Sequence, residues 1–525
     1  MGYIRKLTPS MVYWILALVL WATFSWAAFN FHPATYTYRG DFWEHSAAVH
    51  AWLQDLWSPK NPHFSSDAGS PRYIPFYFVV TVLSILFGFT ALQAMGTAGV
   101  VSITLFLVGI KLFSDRFFGN PWAAPIALLV FLTGWGNPPI WANVYQLRNI
   151  FYVISYPSFF AFSLGFIAYW WLLGLINSAT LSLWKLAVLA LMVSVMFSSH
   201  PPTGVAIAAT MGLMITLAKD VRLGRRIALL LVLFAGSLLV ELWPYFSTWQ
   251  ITLGTSAGKP SWVSTASFGT LERAEALYWG RPFYQPRVIV MTLGPALLGV
   301  PILFYLVARE RMWLLLAGCV IFSIPYLLNF FISIPLGDRF ILFALFFLHL
   351  AMVWFFLKVM TREYHSSWMR YAIIGLLSVM VLWNVGVAAV EFSGYSLRGD
   401  QLVKQERMVV GHMQAVAKVV PGDAVIMAPV ALAWPLPTFG GKVVGGLHPF
   451  PMVSDAWQRR HDVETFFSAD TTLQDRKEIM KRYRVTHVLY DTKDATPELT
   501  KELAAIPGLR TNIYDLMLIT LPDAI

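Results

Sequence analysis

The chain has 525 residues, of which 57% are hydrophobic and only 13% are charged, about half the charged share of a soluble globular protein. A soluble fold of this size would need many more polar side chains to cover its surface, so the composition excludes an ordinary soluble enzyme. The net charge of +10 would suggest nucleic acid in a soluble protein. Here several of the basic residues fall in short loops between apolar segments, so we expect no nucleic-acid partner and predict a polytopic α-helical membrane protein.

The first apolar segment follows Arg5 and Lys6 and runs from Met11 to about Phe29. It is too long for the core of a signal peptide and has no clear small-x-small cleavage site. We therefore predict a retained first transmembrane helix with a cytoplasmic N-terminus. The single cysteine, Cys319, lies in a later apolar segment, so no intrachain disulfide is expected.

Eleven more apolar segments follow. Three basic loops, Lys219–Arg226, Arg309–Arg311 and Lys358–Arg370, are predicted to be cytoplasmic. Twelve spans would leave both termini on the same side of the membrane, whereas these loops put the N-terminus inside and the C-terminus outside. An odd number of spans is therefore needed, and we predict 11 or 13 transmembrane helices. We expect the segment that is wrongly counted to lie between residues 90 and 219. The candidate segments are 11–29, 73–90, 92–112, 121–135, 151–175, 185–199, 202–218, 227–246, 286–307, 313–331, 340–357 and 371–392.

The loops at about 31–72 and 248–285 are accordingly predicted to be outer loops of a transmembrane domain covering 1–393. From about Gly394 charged residues return, and helical and strand patterns alternate, which predicts an extracytoplasmic α/β domain at 394–525. The predicted helices are Asp400–Val419, Asp462–Ala469, Thr472–Tyr483 and Pro497–Ala505, and the predicted strands are Ala424–Ala428, Lys442–Val444, Thr486–Asp491, Leu509–Tyr514 and Leu516–Leu521.

The first outer loop contains the most informative set of candidate catalytic residues. Gly40 breaks the extended lead-in, and Asp41 is a good N-cap for a helix that we expect to run to about Trp57. Glu44 and His45 follow Asp41 at helical spacing and would share its face. Two carboxylates and an imidazole suit general base catalysis or a divalent metal.

The other interpretation of this stretch is an ordinary interfacial helix, with an aspartate cap and exposed polar side chains. Its four aromatic residues would then seat it at the membrane surface. They are Phe42, Trp43, Trp52 and Trp57.

Several short motifs, taken with this architecture, resemble the GT-C superfamily of membrane glycosyltransferases, which includes protein mannosyltransferases, aminoarabinose lipid A transferases and RgtA/B/C/D-like proteins. Many members of that superfamily carry adjacent acidic residues in the first loop, whereas Asp41 and Glu44 are separated here, which leaves open the choice of catalytic carboxylate and the use of a metal. The motifs are Gly40-Asp41, Pro75 with Tyr77, Tyr156-Pro157-Ser158, Ser199-His200-Pro201, Gly337-Asp338-Arg339-Phe340 and Arg482–Asp491.

The resemblance implies an inverting transfer of a hexosyl or pentosyl group from a polyprenyl-phosphate donor to a glycan, lipid or protein acceptor at the outer face of the plasma (inner) membrane. Asp41 would be the base, with Glu44 as the second catalytic candidate. Arg339, His200 and Arg148 would bind the donor phosphate, since fixed cations stabilise its growing negative charge. His45 and Arg459 are candidates for acceptor or metal contact. No cofactor beyond the donor, apart from a possible divalent metal, is implied.

Three other functions fit a membrane protein of this composition. A transporter or flippase for a lipid-linked glycan would often show repeated halves, and the sequence has no internal repeat. An O-antigen ligase or polymerase would use a related donor with a different site. A non-catalytic scaffold would tolerate loss of the Asp41 carboxylate.

Overall fold

The structure, a computed structural model, describes residues 7–30, 41–136, 145–219, 221–253, 286–329, 337–360, 367–397, 399–447, 450 and 452–522. Gly40, most of the predicted outer loop at 248–285, and residues 332–336 lie outside these ranges. The chain divides into two compact units. The helical unit comprises Met1–Asn30, Ala98–Leu242 and Val263–Phe392, and the mixed unit comprises Phe31–Thr97, Trp243–Trp262 and Ser393–Ile525.

The apolar helices confirm the polytopic membrane fold. Within the described residues seven helices are long and apolar enough to cross a membrane, and five more are apolar but shorter. Each of the predicted apolar segments contains one of these helices. The long ones are Pro9–Asn30, Ala91–Phe118, Pro157–Ile176, Leu223–Leu242, Ile289–Glu310, Ile341–Met360 and Tyr371–Val390, and the shorter ones are Pro75–Phe87, Ala123–Thr133, Leu183–Ser199, Pro201–Thr216 and Trp313–Leu328.

In two of the predicted segments the helix is interrupted at a proline or a glycine. The segment predicted at 151–175 is a short helix, Leu147–Val153, followed by a second helix that starts at Pro157, because proline is favoured at the first helical position. The segment at 286–307 is an α-helix, Pro286–Leu293, a 3₁₀ turn, and a second α-helix, Gly299–Glu310. Gly294 at the junction has φ +49°.

Helix Ile341–Met360 is the centre of the helical unit. Fifteen of its 20 residues are buried, as expected for a helix that is apolar on every side. Phe346 packs against Phe131 and Phe166, with ring centroids 5.8 and 5.9 Å apart. Aromatic residues from several helices therefore form the core of this unit.

A buried polar network lies in the same unit. Tyr145 Oη is 3.1 Å from His349 Nδ1, and His349 Nε2 is 3.1 Å from the carbonyl oxygen of Gly134. Asn384 Nδ2 donates to the carbonyl oxygen of Thr133 at 2.9 Å, and Gln146 Nε2 donates to Asn384 Oδ1 at 3.2 Å. These bonds join the end of helix Ala123–Thr133 to the residues that precede helix Leu147–Val153.

The mixed unit contains a five-stranded sheet with the order β2-β1-β3-β5-β4. Strands β2, β1 and β3 are parallel, and β3, β5 and β4 are antiparallel. Every predicted strand is present with slightly shorter bounds, which confirms the α/β character of the C-terminal part. The strands are β1 (Val425–Met427), β2 (Lys442–Val443), β3 (His487–Asp491), β4 (Leu509–Ile513) and β5 (Leu516–Thr520).

Three of the four helices predicted after residue 394 have nearly the predicted bounds. The helix predicted at Asp462–Ala469 is wrong in position, because it starts at Ala456 and ends at Phe466. Ion pairs four residues apart, such as Arg459–Asp455 and Arg460–Glu464, stabilise its polar first half. Helix Tyr371–Val390 is the apolar part of a longer helix, Ser367–Leu397. The other α-helices in the described ranges include Asp41–Gln54, Thr248–Leu253, Gly399–Val419, Val430–Ala433, Leu473–Tyr483 and Pro497–Ala504.

The first predicted outer loop is bonded to this sheet within the mixed unit. Phe64 forms an isolated parallel bridge with Val443 on edge strand β2, and the Val443 amide donates to the carbonyl oxygen of His63 at 2.8 Å. Lys442 Nζ donates to the carbonyl oxygen of Asn61 at 2.6 Å. Residues of the first loop thus extend the sheet edge that would otherwise be unpaired.

Candidate functional site

The helix of the first loop begins at Asp41, as predicted, but ends at Gln54 instead of near Trp57. Its end has a local cause. Asp55 Oδ1 accepts hydrogen bonds from the amides of Trp57 and Ser58, each at 3.0 Å. Such a side-chain turn offers the backbone an alternative to further helix. We call Asp41–Gln54 the loop helix.

Most of the loop helix is buried inside the mixed unit. Phe42, Trp43 and Trp52 are at most 2% exposed, and only Trp57 projects outward. Trp52 packs against Tyr73 with a centroid separation of 4.8 Å. The expectation that all four aromatic residues seat the helix at the membrane surface is therefore wrong for three of them, because they pack against protein.

Residues near the C-terminal sheet complete this packing. Ser46 Oγ lies 2.6 Å from Thr438 Oγ1, although the two residues are 392 positions apart. Trp43 lies 6.1 Å from Phe439 between ring centroids. The predicted boundary near residue 394 thus separates stretches that share one packed unit around the loop helix.

An ion pair joins the loop helix to the end of the first loop. Nε and Nη2 of Arg72 both contact Oε2 of Glu44. The Glu44 side chain is 1% exposed and that of Arg72 is 30% exposed. Burial by itself lowers the pKa of Arg72, but the charges of Glu44 and Asp41 and the hydrogen bond that Arg72 donates to Glu44 outweigh it and raise that pKa above its ordinary value. Arg72 is therefore a fixed cation.

The predicted acidic face of the loop helix gathers around that cation. Asp41 is exposed at the helix start and interacts electrostatically with Arg72. His45 is 3% exposed, and its ring lies 5.0 Å from that of Tyr77. Of the three predicted residues Asp41, Glu44 and His45, only Asp41 is open to a substrate.

Arg72 was not among the residues predicted for the site. Its partner lies 28 positions earlier, so no local spacing links the two. The sequence could have indicated Arg72 through the need to compensate the charge of a buried glutamate. A glutamate on a tryptophan-rich helix needs a cation once it is buried, and the first loop offers few, of which Arg72 directly precedes the second apolar segment.

Three residues predicted to bind phosphate lie in the helical unit. Arg148 is half-buried on helix Leu147–Val153, and Arg339 is half-buried in the 3₁₀ turn Gly337–Phe340. His200 has an extended backbone (φ −153°, ψ 90°) just before helix Pro201–Thr216, and its Nδ1 lies 2.8 Å from Thr203 Oγ1. His200 thus stands at the predicted break between two helices. Phosphate binding by these three residues stays a prediction.

Arg459 is 8% exposed in the mixed unit. Its Nε donates to Asp455 Oδ1 at 2.8 Å, and its guanidinium lies 4.9 Å from the centroid of the Tyr483 ring. Contact with an acceptor stays a prediction for this residue. Across the described part of the chain, no group of three or more His, Cys, Asp or Glu side chains is arranged to hold a metal ion.

No family model matches the sequence, and no curated protein matches it. Solved structures are similar over nearly the whole chain. The oligosaccharyltransferase of Archaeoglobus fulgidus in the apo form aligns with a TM-score of 0.56 at 13% identity, covering 94% of this chain and 70% of that one. ArnT from Cupriavidus metallidurans aligns in the apo state with a TM-score of 0.53 and bound to undecaprenyl phosphate with 0.52, both at 12% identity and 98% coverage of each chain.

At 12–13% identity these similarities show the fold of the chain, a GT-C-type multi-pass membrane bundle with a C-terminal α/β part. This confirms the fold class that the sequence motifs predicted.

Proposed function

We propose that this protein is a glycosyltransferase that moves a sugar from a polyprenyl-phosphate donor to an acceptor hydroxyl, with inversion at the anomeric carbon. The observation that carries the proposal is the exposed Asp41 carboxylate, whose charge helps to raise the pKa of the fixed cation Arg72, at the start of a helix that packing holds in place. The fold supports it, because ArnT with the same fold binds undecaprenyl phosphate.

The chemistry assigned to Asp41 is general base catalysis. The acceptor O–H gives its proton to the Asp41 carboxylate while the acceptor oxygen forms a bond to the anomeric carbon. The bond between that carbon and the phosphate oxygen breaks, and the polyprenyl phosphate leaves with the electron pair. A base acting this way contributes about 10²–10⁴-fold to the rate.

Glu44, the second catalytic candidate, has a different role in this proposal. Its carboxylate is 1% exposed and paired with Arg72, so it orients the guanidinium instead of contacting the acceptor. The raised pKa of Arg72, in which Glu44 and Asp41 outweigh burial, keeps the guanidinium charged. A charged and pre-oriented guanidinium stabilises developing negative charge in a site shielded from water.

The donor phosphate is assigned to cations on three separate elements of the helical unit. Arg148, His200 and Arg339 are all half-buried, and arginine matches phosphate oxygens with two parallel donors. The positive-inside bias of the three basic loops supports an outer-face position for the C-terminal residues. The acceptor is then a glycan, lipid or protein of the cell envelope.

The test compares Asp41→Asn with Asp494→Asn in the purified chain reconstituted with radiolabelled polyprenyl-phosphate sugars and an envelope extract as the source of acceptor. Asp494 is an exposed aspartate near the C-terminal sheet and serves as the matched control. We expect at least a 100-fold fall in transfer rate for Asp41→Asn and an unchanged rate for Asp494→Asn.

Retained transfer in Asp41→Asn, with unfolding temperatures equal to those of the wild type, would remove Asp41 from the role of base. Movement of an intact lipid-linked glycan across vesicles, with no sugar released from the lipid by the wild type, would replace the transferase proposal with the flippase alternative.

A further inference from the structure

A cavity lined mainly by polar residues lies at the C-terminal end of the loop helix, entirely within the mixed unit. It has a volume of about 390 Å³ and is lined by the end of the loop helix, by residues 58–67 of the first loop, and by residues next to strands β1 and β2. This volume is within the range of small-molecule sites, roughly 300–1,000 Å³. None of the residues predicted for the transfer site lines it.

Hydrogen bonds between side chains and the backbone hold the walls of the cavity in place. Lys442 Nζ donates to the carbonyl oxygens of Asn61 and Pro62, at 2.6 and 3.3 Å. Asn61 Oδ1 in turn accepts from the amides of His63 and Phe64, at 3.0 and 2.9 Å. The bridge from Phe64 to Val443 fixes the loop to the sheet edge. A ligand would thus meet a cavity that is already formed, with little ordering cost.

The lining combines hydrogen-bond donors and acceptors in nearly balanced charge. The lining includes the carboxylates of Asp55, Asp67 and Asp423, the amino groups of Lys60 and Lys442, three serine hydroxyls and one glutamine amide. The small excess of carboxylates disfavours a phosphate, and the polar walls disfavour an acyl chain. A sugar fits, because each hydroxyl can donate to a carboxylate and accept from an ammonium or hydroxyl group.

The position of the cavity indicates which part of a substrate it would bind. Gln54 lines the cavity and lies 13 positions beyond Asp41 on the loop helix, which is about 20 Å along the axis. A group in the cavity is therefore too far from Asp41 to be the reacting hydroxyl, which must lie within hydrogen-bonding distance of its base. One molecule can occupy both places only if it extends over about 20 Å, as a chain of several sugar units does.

We propose that this cavity binds the distal sugars of a neutral oligosaccharide chain on the acceptor, while Asp41 activates a hydroxyl about 20 Å away. The acceptor role rests on the proposed transferase function, but binding of the glycan does not. Contacts at such a remote site supply binding energy that positions the reacting end of the substrate.

Glycine at the cavity wall allows the site to be blocked. A Cβ atom on Gly422 would meet nothing within 4 Å, and the same holds for Gly411 in helix Gly399–Val419, outside the cavity. Gly422→Trp should therefore add an indole ring at the cavity wall with little strain, and Gly411→Trp is its matched control. Both variants are made in the full-length chain in lipid nanodiscs.

The direct measurement is saturation-transfer NMR with neutral hexose and N-acetylhexosamine oligomers of one to six units, and with inorganic phosphate as a competing probe. We expect the wild type and Gly411→Trp to bind the hexamers, and Gly422→Trp to bind them at least 10-fold more weakly. Equal hexamer binding by Gly422→Trp, no hexamer binding by the wild type, or phosphate binding that Gly422→Trp abolishes would each overturn the proposal.

A transfer assay tests the acceptor role separately. With acceptors of increasing length, the wild-type kcat/KM should rise once the chain is long enough to reach the cavity, and Gly422→Trp should lose this gain while keeping its rate with the shortest acceptor. No dependence on length, with hexamer binding intact, would overturn the acceptor role. No transfer to any acceptor by the wild type would count against the transferase proposal and leave the binding result standing.

Discussion

The two units of this protein bury polar groups in different ways. In the mixed unit the loop helix buries the carboxylate of Glu44 and compensates it with a full opposite charge on Arg72. In the helical unit His349 and Asn384 are buried and bond to carbonyl oxygens and to Tyr145 and Gln146. The buried ion pair of the mixed unit holds a charged group in a fixed position. The hydrogen-bond network of the helical unit fixes the geometry of the packed helices.

The energetic consequences of the two arrangements differ. Removing one partner of a buried ion pair leaves an uncompensated charge, which costs about 3–5 kcal/mol. Removing one neutral hydrogen-bonding partner in a membrane bundle costs less, about 0.6–2 kcal/mol, because the remaining groups find other partners. Substitutions in the two regions should therefore fall into two ranges of stability loss.

The largest stability effect is expected for Arg72→Met. It leaves the Glu44 carboxylate buried and unpaired, so we expect the free energy of unfolding of the mixed unit to fall by about 3–5 kcal/mol, measured by chemical unfolding in detergent. The matched control is Lys493→Met, which breaks an ion pair whose side chains are 69% and 41% exposed.

The control should change stability by no more than about 0.5 kcal/mol. In the double variant Glu44→Gln/Arg72→Met the buried charge is gone, so part of the lost stability should return. A loss in Arg72→Met no larger than in Lys493→Met would contradict the buried-charge account of this region.

A smaller effect is expected for Asn384→Leu in the helical unit. It removes the amide that bonds to Thr133 and Gln146, so we expect the apparent free energy of unfolding to fall by about 1–2 kcal/mol. Asn177→Leu, at an exposed helix end, is the control and should have little effect. A loss as large as that of Arg72→Met would remove the distinction between the two regions.

The smallest effect concerns the pH dependence of the mixed unit. Burial, followed by the charge of Lys442, lowers the pKa of His50 to about 4 from its ordinary value of 6.5. The unfolded chain therefore binds a proton between pH 6.5 and 4 that the folded chain does not, so this group makes stability fall as the pH is lowered through that window.

The His50 side chain is half-buried, so solvent screening limits its contribution to about 1 kcal/mol. Thermal unfolding of the wild type and of His50→Gln at pH 7 and pH 4.5 measures it. The variant should lose less stability between the two pH values than the wild type does. Identical losses in both proteins would mean that His50 titrates normally.

Part of the site was predictable because it is local. Gly40 and Asp41 predicted the start of the loop helix, and the spacing of Glu44 and His45 placed them on the side that Asp41 shares, where the structure has Arg72 and Tyr77. The end of the same helix was misplaced, because the turn made by the Asp55 side chain competes with helix and carries no periodic signal.

The burial of the loop helix was not predictable in the same way. Its aromatic residues fit a membrane surface and a protein interior equally well by composition. The choice between the two depends on contacts such as Ser46 with Thr438, which join residues 392 positions apart. Local spacing contains no information on which distant segment will cover a helix.

The sequence by itself determined the membrane class, the apolar helices and the strands of the C-terminal sheet, since these follow from runs of apolar residues and from local propensity. Only the tertiary structure decided that Glu44 is covered, that Arg72 compensates it, and that the first loop continues the edge of the sheet. Charge compensation and strand pairing act between residues that are close in space and distant in the chain, so they become visible only once the chain is folded.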